Sequence, residues 1–152
     1  MSDADNPRTR MQLKLHISYT LTAMLLLAGC TSSPGKPQTR QVLPECGWLP
    51  NCINSQSGRG AQASEPLRVN AELWQQLKAW IARQQDWEIT VDDGNFIQAI
   101  VNTPIMRFRD DIQLLFLSDD QLIQVRSSSR IGISDLGTNA RRIETLRDQL
   151  AR

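Results

Sequence analysis

The chain has 152 residues, with 17 Lys+Arg against 16 Asp+Glu and a formal net charge of +1. That length holds one domain and accessory segments. So even a balance carries neither the bulk basic charge of a nucleic-acid binder nor an acidic tail. The single histidine is His16, near the N-terminus. The rest of the chain therefore has no His general base, no Ser-His-Asp triad and no His-ligated metal.

Arg8, Arg10 and Lys14 precede an apolar run from Ile17 to Leu27, followed by Ala28, Gly29 and Cys30. A positive start, a short apolar core and small residues before a cut predict a secretory signal over residues 1–29. The run is too short to span a bilayer, which needs about 20 apolar residues. The sequence Leu27-Ala28-Gly29-Cys30 resembles the lipobox of bacterial lipoproteins. The resemblance implies cleavage before Cys30, a diacylglycerol on its thiol and an acyl chain, such as palmitate, on the new amine. Each buried CH₂ contributes about 0.8 kcal/mol, so two or three chains hold a protein on a membrane. Thr31 stands where Asp often retains such proteins at the inner membrane. Its presence points to the periplasmic face of the outer membrane.

Cleavage removes three of the 17 basic residues and two of the 16 acidic ones, leaving 14 of each. Residues 30–44 are rich in Pro, Ser and Gly and read as a flexible tether, with a single domain over 45–152. Cys46 and Cys52 bracket a short loop containing Trp48 and Pro50. Export to an oxidising compartment predicts a disulfide between them. A redox or metal site is disfavoured, because there is no C-x-x-C and no His ligand.

Asn70 predicts a helix N-cap with Glu72 in the first turn and Val69 stapling onto Trp74. Leu73, Trp74, Leu77, Trp80 and Ile81 then share one helical face. Trp87, Ile89 and Val91 alternate with polar residues, Asp93-Gly94 is a turn signal, and Phe96 to Val101 forms the return strand. A second hairpin runs from Ile112 to Leu117, turns at Asp119-Asp120 and returns from Leu122 to Ser127. Ile143, Leu146 and Leu150 mark a last helix from about Thr138 to Leu150. The order predicts an α+β fold: a four-stranded antiparallel sheet of two hairpins, with one helix before and one after the strands.

A turn at Asp119-Asp120 sets a register. It places Phe116 opposite Ile123, Leu114 opposite Val125 and Ile112 opposite Ser127 on the core face. Gln113 then faces Arg126 and Asp111 faces Ser128, with Asp111 diagonal to Arg126 and Arg130. A one-residue slip would bury Arg126 in that core. The stretch from Arg126 to Arg142 is the densest polar run in the chain. Its candidate binding residues are Arg126, Ser128, Arg130, Ser134, Asp135, Asn139, Arg141 and Arg142, with Asp110 and Asp111 opposite them. Arg141 and Arg142 fall in the first turn of the last helix, capped by Asn139 or Thr138. Cations beside unpaired N–H groups there suggest an anion site. A structural network, with Asp110, Asp111 and Asp135 neutralising the arginines, is the other reading. The run contains neither a nucleophile elbow nor a P-loop, and no cofactor is expected.

These residues resemble a known family, the domain of unknown function 1499. The resemblance rests on Pro50-Asn51-Cys52-Ile53-Asn54-Ser55-Gln56, the Asp110-Asp111 pair and the run R-S-x-S-R-x-G-x-S-D-x-G-x-N-x-x-R from Arg126 to Arg142. It covers about residues 44–150 and implies no activity. Three functions fit. The first is a non-enzymatic envelope lipoprotein that binds an envelope protein or supports the envelope. The second binds an anionic ligand or lipid headgroup at the arginine cluster. The third is a hydrolase with Asp110 or Asp111 as base and an Arg as oxyanion stabiliser, disfavoured because nearby arginines favour the ionised carboxylates and weaken a base. A deep pocket between Asp111, Arg126 and Arg142 would favour the second or third, and a paired network the first. The leader makes its own prediction. Cys30→Ser abolishes fatty-acid labelling and leaves an uncut precursor, and continued incorporation of a clickable fatty acid would reject the lipobox.

Overall fold

The computed structural model describes residues 42–152. The signal peptide, Cys30 and the tether up to residue 41 lie outside the described residues. The elements in chain order are β1 (Cys52–Asn54), a 3-10 turn (Gly60–Gln62), β2 (Leu67–Arg68), α1 (Ala71–Ile81), β3 (Trp87–Asp92), β4 (Phe96–Asn102), β5 (Arg109–Leu117), β6 (Leu122–Ser129) and α2 (Thr138–Leu150).

The mixed α and β class and both hairpins follow the sequence reading, and the β5–β6 register is the one the turn at Asp119 predicts. The sheet has six strands rather than four. Its order is β1-β6-β5-β4-β3, and β2 also pairs with β6. β1 lies along Arg126 to Ser128 and β2 along Leu122 and Ile123, so the two cover successive stretches of one edge. Segments of three and two residues are too short to show an alternating pattern. What makes them strands is the open N–H and C=O row of β6, which an uncovered edge would leave unpaired.

Helix α1 starts where Asn70 predicts, with its side chain accepting from the Leu73 amide at 2.8 Å. Its apolar face lies on the sheet: Trp74 stacks on Phe116 at 5.7 Å between ring centroids, and its indole N–H donates to the Gly94 carbonyl. Val69, Leu77, Ile81, Ile112, Leu114, Val125, Ile143 and Leu146 are among the other residues of this core. The opposite face holds a smaller cluster of Leu43, Phe96 and Leu115, with Val91 against it. A bulge between Ile89 and Val91 turns Val91 away from the helices, so the alternation begun at Trp87 breaks there. Leu43 is buried and the Pro44 carbonyl accepts from Asn54, so packing starts before residue 45. The apolar Leu43 finds the cluster that Phe96 and Leu115 leave on this face.

Cys46 and Cys52 are disulfide-bonded across six residues. So short a loop implies roughly 2 kcal/mol of chain-entropy stabilisation. Beyond β1 the Asn54 side chain accepts from the Gln56 and Ser57 amides, and the chain turns back at Gly58. A Cβ on Gly58 would lie 2.1 Å from the Gln62 carbonyl oxygen and 2.3 Å from that of Asn54. Both obstacles are backbone, so neither yields by rotating a side chain. Gly58→Ala is therefore expected to lower stability by about 1–3 kcal/mol, as overpacking does. Chemical denaturation should show a lower midpoint with an unchanged slope, and an unshifted midpoint would mean the loop has room.

Candidate functional site

Asp110 and Asp111 are neighbours in the chain, and successive strand residues point to opposite faces. The polar run of the sequence is thereby divided into two separate clusters by the sheet itself. On the helix side, Asp110 receives the Arg142 guanidinium at 2.8 Å, with both side chains about 95% or more buried. Arg142 also donates to Ser127 Oγ at 2.7 Å and to Asn139 Oδ1 at 2.6 Å. Ser127 in turn donates to Asn139 Oδ1. The Asn139 amide nitrogen reaches the Asn51 carbonyl at 2.9 Å, and Asn51 donates to the Gly132 carbonyl. This network joins β5, β6, α2 and the segment before β1.

On the other face, Asp111 accepts from Arg130 Nε at 2.8 Å and Nη2 at 2.7 Å, a two-pronged fork. That fork raises the pKa of Arg130. Opposite positions then line up Gln98, Gln113, Arg126 and Asn54 in one row across four strands. All four are buried. Gln113 donates to Gln98, and Arg126 Nη1 donates to Ser128 Oγ at 2.9 Å. Arg126 Nε has no partner, and Arg126 makes no ion pair among the described residues. Burial lowers the pKa of Arg126, with the charge of Asp111 opposing that effect. Asp111 is thus bonded to Arg130 and reaches Arg126 only through its charge.

At the start of α2, where an anion site was expected, the chain's own groups meet the backbone amides. Gly137, at φ +78, is the N-cap, in place of Asn139 or Thr138. Asp135 takes the cap's role with its side chain, accepting from the Gly137 amide at 3.1 Å and the Asn139 amide at 2.8 Å. A carboxylate of the chain already occupies the positive end of the helix. Arg142 turns into the core, and Arg141 folds back onto the Leu136 carbonyl and Thr138 Oγ1. Ser134 Oγ accepts from the Leu136 amide. No pocket between Asp111, Arg126 and Arg142 is possible, because the sheet separates Arg142 from the other two. Two open depressions lie elsewhere, one beside Glu45, Gln56 and Arg59, the other beside Glu65, Ala140 and Arg147.

The sequence reading missed Asn54, Gln98 and the Gln98–Gln113 contact. The available signal was a single Gln inside each of two apolar runs, Phe96 to Val101 and Ile112 to Leu117. Among the comparisons with known proteins, a family model described as a protein of unknown function (DUF1499) matches residues 42–150. No curated protein and no solved structure matches the chain.

Removing one member of a buried pair strands the other, at about 3–5 kcal/mol, whereas exposed pairs contribute about 0–1 kcal/mol. Asp110→Ala and Arg142→Ala are each expected to fall in the first range, and Glu88→Ala, which breaks the exposed Arg109 pair, in the second. The double variant should cost less than the sum of the two singles. Equal small losses at Asp110 and Glu88 in thermal unfolding would show the network to be dispensable.

Proposed function

The chain belongs to the DUF1499 family, whose description assigns no activity, and on that footing we propose that it is a non-enzymatic lipoprotein of the bacterial envelope. In this reading the domain is a binding or structural module on the periplasmic side, held by lipid at Cys30. The observation that carries the non-enzymatic part is the pairing of both candidate bases. Asp110 is held by Arg142 and Asp111 by Arg130, each at 2.8 Å or less. A carboxylate whose lone pairs are filled by a guanidinium is poorly placed to take a proton from a substrate. The anchoring part is supported by Leu27-Ala28-Gly29-Cys30 after the apolar run. Among the described residues no helix is long and apolar enough to cross a membrane.

One observation favours a second reading, the binding of an anionic group on the Arg126 face. A guanidinium that is 8% exposed and has an unpartnered Nε is costly to bury without compensating negative charge. An anion there would supply it.

Crosslinking and co-purification of the lipidated protein from envelopes tests both readings. The first predicts a captured envelope component with wild type that Asp111→Asn, checked for folding, still captures. A hydrolytic activity lost in a folded Asp111→Asn protein would overturn it. The second predicts that Arg126→Met, similar in volume, keeps or gains stability and loses a co-purifying anion. Loss of stability with nothing released would leave Arg126 a structural residue.

A further inference from the structure

Two loops leave the sheet at the same end. Asn102 pairs with Arg109, closing the β4–β5 loop, and Asp110 pairs with Ser129, where β6 passes into the loop before α2. Between them these loops expose six large apolar side chains. Ile105 is 90% exposed, Met106 65% and Phe108 42%, while Ile131 is 60%, Ile133 73% and Leu136 86% exposed. Val42 and Trp48 are exposed as well; scattered apolar residues are ordinary on a surface, but six on two loops at one end of a sheet mark an interaction site. The presentation is built rather than slack. Leu136 sits at φ +50, its amide on Ser134 Oγ and its carbonyl on Arg141, directly after the Asp135 cap.

We propose that this end of the domain docks on an anionic lipid surface, the loop tips entering the region between headgroups and acyl chains. The inference rests on the lipid-anchored reading above. Three observations select lipid over a protein partner or a second copy. First, the apolar residues sit on two separate loop tips, each with a cation beside it, which is the pattern of interfacial insertion into acidic lipid. Arg107 lies between Met106 and Phe108, and Arg141 contacts the backbone of Leu136.

Second, the charges facing this end leave a positive remainder. Asp111 pairs with Arg130 and Glu88 with Arg109, while Asp135, bonded to neutral α2 amides, keeps its charge and offsets one of Arg107 and Arg141, so one positive charge remains. Asp86 and Arg83, in the turn before β3, balance each other in number. Third, the tether permits the orientation. Twelve residue steps separate Cys30 from Val42. Extended, they reach about 40 Å. The nine-residue strand β5 measures roughly 30 Å end to end. A lipid at Cys30 can therefore lie at the level of the loop tips wherever along the sheet residue 42 sits.

The test uses the full lipidated protein in vesicles of phosphatidylethanolamine with added phosphatidylglycerol. An environment-sensitive fluorophore is placed on Ile105→Cys, on Ile133→Cys, or on Asp119→Cys in the β5–β6 turn at the other end. Cys46 and Cys52 are bonded to each other and do not compete for the label. Quenching by phospholipids brominated on their acyl chains is read for each site, and sedimentation of the same samples reports attachment. The expected result is attachment in all three, with strong quenching at 105 and 133 and none above background at 119, weakening when phosphatidylcholine replaces the acidic lipid. Attachment with equal quenching at all three sites overturns docking and leaves the anchor standing. No attachment overturns both. Quenching at 105 and 133 that persists unchanged in Arg107→Glu/Arg141→Glu protein removes the acidic-lipid selectivity and overturns the proposal as stated. A label that responds to protein concentration without vesicles identifies a second copy as the occupant and overturns it too.

Discussion

A carboxylate buried on an inner strand of a sheet, under a helix, must be neutralised where it stands. Asp110 meets that demand through Arg142, and much of the domain is arranged around the pair. Arg142 reaches Asp110 only if α2 lies across β5 and β6 at one height. Asn139, one helical turn earlier, is fixed at that height by Ser127, Ser129 and the Asn51 carbonyl. The Asp135 cap then sets where α2 begins, and Asn51 sets where the chain enters β1. A buried ion pair is weak evidence of stability in itself, since hydrophobic replacements often serve as well. Here it acts as a registration device, tying an N-terminal segment, two central strands and the last helix into one arrangement.

The opposite face follows a different logic. There Arg130 closes on Asp111 while Arg126 stays buried with an incomplete set of partners. The row Gln98, Gln113, Arg126 and Asn54 crosses a sheet whose two apolar clusters lie elsewhere on it. A polar row of this kind fixes register strongly, because slipping one residue would put its members among Ile112, Leu114 and Val125. The buried imbalance of charge lies on this face, and it is the reason the anion reading belongs here and not at the helix N-terminus.

The two proposed contacts with surroundings use different parts of the molecule. The Arg126 face lies along the sheet, whereas the apolar loop tips lie at its end. Separation of this kind lets a domain rest on one surface while presenting another, with the rigid sheet fixing the distance between them.

Much of the frame was legible in the chain. Asn70 and the apolar spacing through Ile81 defined α1, and the turn at Asp119 with the core pattern of Ile112, Leu114 and Phe116 fixed the β5–β6 register. Strong local periodicity carries that information whatever the rest of the chain does. The cysteine pair was legible for another reason, since two cysteines bracketing a short loop in an exported chain are expected to bond. β1 and β2 were not legible, because strands of three and two residues exist only through the edge of β6. The bulge that redirects Val91 was hidden likewise. The β5–β6 register already placed Asp111 within reach of Arg130, as observed, but Asn54 and Gln98 were missed and the specific partners of Asp110, Asp135 and Asn139 were not legible. One linear cluster became two because adjacent strand residues face opposite ways, and Asp135 rather than an external anion took the α2 amides. Which donor meets which acceptor depends on atoms brought together from Asn51 to Arg142, over distances that local pattern does not encode.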